Sequence, residues 1–414
     1  MSPAGYLPHL VKRQLGNIRR LLAGRPLTTP PLSSMTVGPD DVAIARSYLR
    51  DRSRWRDPAV VADFESAFAE WNGSSSAFAF MGGRVALSAC IQALGLGPGD
   101  EAIIPAYTCV VVPNAFHFAG VDVVYSDIEL DTFGLDAVLL EERITPRTRA
   151  VLIQHMYGLV CRDYEAVLNL AKRYGLRVIE DCAHAAGATY NGVKVGNRGD
   201  VGFYSSEQSK VFSTVQGGLA VTRDGRLAEG LARYRDQAPL PDDAWIDRQL
   251  HTAILNYYLF KHPGRWWRGD LAMLGRGGKR LISTSPEEEC GIKPAHYGRR
   301  MPAPVAALGL CQIRKLDGYN ERRRRAARRW AAWCDQHGYK KPVEIEGSIP
   351  VYLRYPVLVE PEKKMDRSWA LADPGVAVGV WYLSHVHPVQ RQLEGFPGAD
   401  TAVAQCINFP CILD

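Results

Sequence analysis

The sequence contains no Cys-x-x-Cys pair, no internal repeat and no low-complexity tract. Its nine cysteines (Cys90, Cys109, Cys161, Cys182, Cys290, Cys311, Cys334, Cys406 and Cys411) are scattered and odd in number. Neither a zinc site nor a disulfide framework is therefore expected, and a reducing cytoplasm fits the cysteine usage. The N-terminus lacks the continuous apolar core of a signal peptide. Residues 102–121 carry no Asp, Glu, Lys or Arg, which is about the length of a membrane span. Pro105, Thr108, Pro113, Asn114 and His117 would break and polarise such a helix, so a buried strand, a loop and a helix start explain the stretch better. A surplus of one sign of charge is also missing from most of the chain. Of the net +6, Lys12, Arg13, Arg19, Arg20 and Arg25 supply five with no acid among them. The rest is nearly neutral, which argues against a nucleic-acid partner.

What is present suits a globular enzyme. A chain of 414 residues that is 46% hydrophobic can bury one large α/β domain with a smaller one attached. Residues 1–35 form a basic leader in which Leu7, Leu10, Val11, Leu15, Ile18 and Leu22 fall near helical spacing. Two readings stay open for it: weak contact of residues 1–30 with an anionic membrane surface, or a solvated terminus. Over 36–225, short Val- and Ile-rich runs (101–105, 121–125, 150–154, 177–180 and 219–221) alternate with helical stretches such as 85–94, 135–142 and 163–174. This alternation predicts an α/β fold with a mostly parallel sheet and helices on both faces. Chemistry in such sheets gathers at the carboxyl ends of the strands. Residues 226–300 form an aromatic-rich insertion with Trp245, Tyr257, Tyr258, Phe260, Trp266 and Trp267. Residues 301–414 make a smaller C-terminal α/β domain that begins with a helix over 303–334, whose run Arg322–Arg325 is expected to face solvent.

Four segments converge on one kind of chemistry. Gly82-Gly83-Arg84 opens a helix, where bare backbone amides and the helix dipole suit a phosphate and Arg84 could add a charged contact. Asp181 follows the apolar run Val178-Ile179 and precedes His184 by three residues. A carboxylate there suits a protonated pyridine nitrogen, and a helix N-cap is the plainer alternative. Lys210 ends a strand and polar turn that include Ser205, and a lysine in a partly desolvated pocket can act as a neutral amine. Gly217-Gly218 then lets the chain turn back into the sheet.

In order and spacing these segments resemble the DegT/DnrJ/StrS family of fold-type-I, pyridoxal 5'-phosphate (PLP) dependent sugar aminotransferases. Further matching pieces are Pro105-Ala-Tyr-Thr108, His155-Met-Tyr-Gly158, Gly187-Ala-Thr-Tyr190 and Ala306-Ala-Leu-Gly309. The resemblance implies a Schiff-base role for Lys210, a pyridine-nitrogen partner in Asp181, and His184 near the ring oxygen. It implies phosphate contacts from Gly83, Arg84 and Ser205, and a stacking position at Cys109. It also implies a homodimer that transfers an amino group from an amino-acid donor, glutamate above all, to a nucleotide-activated keto-sugar for polysaccharide biosynthesis.

The chain departs from the family pattern at Arg84 (usually Thr), Cys109 (usually aromatic), Gln216 (usually Glu) and Gly298 (usually Asn). Two other functions compete with the first. One is a PLP-dependent lyase, dehydratase or decarboxylase; the other is a non-catalytic regulator on the same fold. Related sugar dehydratases carry a histidine in place of the lysine, so Lys210 argues for transamination while leaving other lysine-dependent chemistry open, and the intact Lys210/Asp181 pair counts against the regulator.

Overall fold

The computed structural model describes residues 36–261 and 283–412. The leader and Trp266 and Trp267 lie outside the described residues. The centre is a seven-stranded sheet in the order Ser76–Phe80, Gly218–Thr222, Val201–Ser205, Arg177–Asp181, Thr148–Gln154, Glu101–Pro105 and Asp122–Ser126. Six strands run one way and Gly218–Thr222 runs against its two neighbours. The strands Glu101–Pro105, Val201–Ser205 and Gly218–Thr222 are buried at every position. This is why they read as continuous apolar runs with no alternation. The edge strand Ser76–Phe80 was not among the expected runs: its small residues, Ser76, Ala77 and Ala79, give it a weak strand signal.

Helices cover both faces. One core packs Ile104, Ala102, Leu152 and Phe203 under the helix Gly83–Ala93, while another packs Ile103, Val151 and Leu219 under Pro58–Asn72 and Ala303–His337. The helix at 137 is shorter than its pattern suggested, Ala137–Glu141, because Asp136 caps it by accepting from the amides of Val138 and Leu139. The aromatic-rich stretch opens with the helix Gly225–Gln237, which lies on Gly83–Ala93 and on the two outer strands. The helix Asp243–Lys261 packs on Pro39–Arg50. No helix among the described residues is long and apolar enough to cross a membrane.

The 35-residue helix Ala303–His337 joins the two layers. Its first half packs on Pro58–Asn72, and Trp330 stacks on Phe409 of the C-terminal layer at 4.6 Å. There Arg354–Leu358 pairs antiparallel with Cys406–Pro410. The expectation that Arg322–Arg325 is a solvated face holds for Arg322 and Arg325 but not for Arg323, which is 1% exposed. The helical period sets Arg323 in line with Asn320, Ala327 and Trp330, all of them buried.

Beneath the sheet's active edge lies a buried polar knot. Glu180, fully buried, accepts from Tyr164 Oη at 2.6 Å and from the amides of Gly196, Arg198 and Gly199 at 2.7, 2.8 and 2.6 Å. Its carboxylate also meets His155 Nε2 at 3.1 Å. Burial pushes the Glu180 carboxyl up, but these bonds, led by His155, hold it below its usual range. Glu180→Gln replaces one acceptor oxygen with a donor that faces other donors. Stability should fall by about 3 kcal/mol, the scale for breaking a buried charged network. Urea unfolding checks this, and an unchanged midpoint would show that the knot is dispensable.

Candidate active site

The carboxyl ends of four parallel strands and the start of the antiparallel one meet at a single edge, which brings Met81, Gln154, Asp181, Ser205 and Gly217 to one cavity of about 470 Å³. Lys210 follows four residues after the turn at Ser206. Its loop is held by Ser206 N to Gly217 O at 2.9 Å, Thr214 N to Ser206 O at 2.9 Å and Gln208 N to Val215 O at 2.9 Å. Gln249, buried on the helix Asp243–Lys261, donates to Thr214 O and Gln216 O at 2.9 and 2.7 Å. Lys210 is therefore presented by a loop with few free peptide groups.

The protonation state of Lys210 follows from its partner. The Tyr157 amide donates to His184 Nδ1 at 3.3 Å, so that nitrogen carries a lone pair. A neutral imidazole then bears its proton on Nε2. Nε2 lies 2.9 Å from Lys210 Nζ, and its N–H can donate there only if the amine has a free lone pair. Burial drives both groups the same way: the Lys210 ammonium is pushed down, and the His184 imidazolium well down. Both shifts, and the bond to His184 Nε2, favour the neutral form of the Lys210 amine.

Asp181 is 6% exposed and accepts the Ala183 amide at 2.9 Å. Burial raises its carboxyl to about 6, while that amide and the charge of Lys210 pull it back. No helix among the described residues starts at Asp181, so the plain N-cap alternative has no support here. A carboxyl this deep, without a cation in contact, suits a cationic ring nitrogen placed against it.

Opposite Asp181 stands a cup of backbone. Gly82 caps the helix Gly83–Ala93, whose amides open toward the cavity beside Ser205. A Cβ on Gly83 would come within 2.9 Å of Ser205 Cβ, and one on Gly218 within 2.4 Å of Gly83 N. Gly218→Ala must therefore displace main chain. It is expected to cost about 1–3 kcal/mol and to spread the cup, and unfolding midpoints with and without inorganic phosphate would check both. Arg84 lines the same cavity, but its guanidinium pairs with the buried Glu288 carboxylate and with Ser283 O. Cys109 lines it too, its thiol raised by burial, on the short strand Thr108–Cys109 that pairs with Val386–His387.

The structure therefore brings Gly83, Arg84, Cys109, Asp181, His184, Ser205 and Lys210 around one cavity. Three further groups escaped sequence reasoning. Trp381 stacks on His184 at 5.3 Å and 10°, with Lys210 Nζ 5.0 Å from its ring centroid. Asn320 and Arg323, one helical turn apart, donate to the carbonyls of Ala186 and Val211, the segments that carry His184 and Lys210. The only sequence signal for this pair is the apolar period of the long helix, on which both fall on the inner face.

The sequence matches the model of the DegT/DnrJ/EryC1/StrS aminotransferase family over residues 48–414. It is 41% identical over 182 residues to the GDP-perosamine synthase of Caulobacter vibrioides, a match covering 44% of this chain and 49% of that one. The chain thus spans about half the length of that relative. It is 28% identical over 377 residues to the spore coat polysaccharide biosynthesis protein SpsC of Bacillus subtilis, covering 89% and 87%. DesV of S. venezuelae superposes with a TM-score of 0.69 at 25% identity, covering 90% of each chain. The chain belongs to the DegT/DnrJ/EryC1/StrS aminotransferase family.

Proposed function

We propose that this chain is a PLP-dependent aminotransferase that moves an amino group from an amino-acid donor to a nucleotide-linked keto-sugar. The observation that carries the reading is the Lys210 amine, 2.9 Å from His184 Nε2 in the cavity that the buried Asp181 also lines. Family membership supports it, as does a relative whose name, GDP-perosamine synthase, is that of an enzyme making a nucleotide-linked amino sugar.

The residues fit the cofactor. Gly83, Arg84 and Ser205 would hold its phosphate, Asp181 its ring nitrogen, and Lys210 its aldehyde carbon, with His184 and Cys109 flanking the ring. When bound there, PLP supplies an electron sink that acidifies the donor's α-hydrogen. The chain's own part is positional and protonic. Lys210 Nζ, kept neutral, can take a proton from one carbon and return it to another. His184 orients that amine through Nε2–H and is itself fixed by the Tyr157 amide and the Trp381 ring. Asp181 keeps a negative charge opposite the ring nitrogen once a cation compensates its burial.

Purified protein should be yellow, and borohydride should fix the cofactor to Lys210, identified by peptide mass. Glutamate should then convert the bound cofactor to its amine form. A colourless protein that ignores added PLP would overturn the cofactor assignment; a yellow protein unmoved by glutamate, glutamine and alanine would favour the lyase. We read the working form as a cytoplasmic homodimer without nucleic-acid partners, and sedimentation of the purified chain tests the dimer. Domain limits at 36–225, 226–300 and 301–414 complete the proposal, with limited proteolysis as their test.

A further inference from the structure

The segments that carry His184 and Lys210 leave the sheet separately. His184 lies in the turn after the strand Arg177–Asp181, and Lys210 in the loop after Val201–Ser205. The ladder between those strands ends at the pair Asp181 and Phe203, and Cys182 N donates to Phe203 O at 2.9 Å just past it. Further out, the 2.9 Å contact between His184 Nε2 and Lys210 Nζ spans the gap on the cavity side. A second bridge spans it from the helix Ala303–His337. Asn320 Nδ2 donates to Ala186 O at 3.0 Å, Arg323 Nη1 to Asn320 Oδ1 at 2.9 Å, and Arg323 Nη2 to Val211 O. Ala186 is two residues past His184, and Val211 directly follows Lys210. The two side chains thus link one segment to the other without a break.

This bridge is a costly way to fill space. Asn320 is 2% and Arg323 1% exposed, and burial lowers the guanidinium to about 10. A fold that only needed packing here would do as well with apolar side chains. Gly187 leaves room for the Asn320 amide, since a Cβ there would come within 2.5 Å of Nδ2. Gln312, buried on the same helix, accepts the Ser213 amide at 3.3 Å, so the helix holds the Lys210 loop at two places. We propose that Asn320 and Arg323 are positioning residues, which fix the separation of the two segments and thereby keep His184 Nε2 against Lys210 Nζ. The bearing of this clamp on catalysis rests on the aminotransferase reading above.

The contact depends on that separation. A hydrogen bond from an N–H donor fades once the heavy atoms part beyond roughly 3.2 Å. A catalytic group displaced by about 1 Å can lose on the order of 10²-fold in rate. Besides burial, Lys210 feels Cys109, Glu207 and Asp181 from the sheet side and Arg354 from the C-terminal layer. None of these groups lies on the helix Ala303–His337. A change at 320 or 323 therefore reaches the Lys210 amine through the main chain and His184.

The test uses the full chain as wild type, Arg323→Met, Arg323→Lys, Asn320→Ala, His184→Ala and the double variant Arg323→Met/His184→Ala. Failure of borohydride to fix PLP at Lys210 of the wild type would remove the aminotransferase reading. The clamp is judged separately, on PLP-free chain, from the pH dependence of Lys210 acetylation by acetic anhydride, read by peptide mass. Loss of the clamp withdraws the His184 donor from the amine's lone pair, which disfavours the neutral form. The acetylation midpoint in Arg323→Met and Asn320→Ala should therefore rise by about one pH unit. Arg323→Lys keeps the charge and a donor but not the fork, and should move it about half as far. In the His184→Ala background, Arg323→Met should add no further shift. In PLP-loaded Arg323→Met, glutamate at saturation should convert the cofactor to its amine form about 10²-fold more slowly, with the half-saturating concentration changed by less than about threefold. An unmoved acetylation midpoint in folded Arg323→Met or Asn320→Ala overturns the proposal, as does an additive shift in the double variant, since either leaves the pair a part of the fold alone. Should Arg323→Met not fold, Asn320→Ala and Arg323→Lys decide by the same midpoints.

Discussion

Lys210→Ala is expected to lower turnover by at least about 10³-fold, because it removes the attacking amine and the proton carrier together. The fold should survive. Lys210 contributes a side-chain hydrogen bond to His184 and a contact with the Trp381 ring, and its loop is held by backbone bonds and by Gln249. Circular dichroism and unfolding should match the wild type, while the visible band and the borohydride-fixed peptide vanish. Lys210→Arg separates charge from chemistry. A guanidinium stays protonated, so it cannot serve as the neutral partner of His184 Nε2–H, and it should be as inactive as alanine. Recovery of activity in Lys210→Arg would show that a cation, not a free amine, is what the site needs.

Asp181→Asn should cost roughly 10²–10⁴-fold in rate, the range for losing a group that holds a proton in place during catalysis. It also has a thermodynamic signature. Burial, only partly offset by the Ala183 amide and the charge of Lys210, raises the carboxyl to about 6 in the cofactor-free folded chain, against an unfolded value near 3.8. Between those pH values the folded state holds more protons than the unfolded one, so stability contributed here is present at low pH and is lost as pH rises through about 6. The full change is about 3 kcal/mol at 1.36 kcal/mol per unit. Cofactor-free wild type should therefore lose stability relative to Asp181→Asn between pH 4 and pH 6.5. PLP should abolish that difference, since a protonated ring nitrogen compensates the carboxylate. A pH-independent difference between the two proteins would mean that Asp181 is ionised even when alone.

The legible parts of this molecule are those in which local chemistry and tertiary role coincide. Buried parallel strands are apolar through their middles, so Ala102–Ile104 and Val178–Ile179 announce themselves, as does Asp181, the last residue of the strand that leads to the cavity. Gly83, Gly217 and Gly218 are readable because a Cβ on any of them would collide with its neighbours. Trp381 was not legible, since it gains its meaning by stacking on His184 from a layer folded over the sheet nearly two hundred residues away. Nothing in the surrounding sequence distinguishes a tryptophan that stacks on His184 from one that fills a core. Arg323 shows the opposite error: a run of four arginines reads as one solvated patch, although the helix turns one of them inward to grip Val211 O.

The cavity's outer wall is built from Trp245, Arg248, His296 and Arg299, whereas its floor comes from the sheet edge and the Lys210 loop. The wall and the floor belong to different stretches of chain. Natural variation can therefore reshape what enters, by exchanging residues around 245 and 296, without resetting the proton chemistry proposed for 181, 184 and 210. A protein built this way can acquire a new acceptor in small steps, each of which leaves a working catalyst.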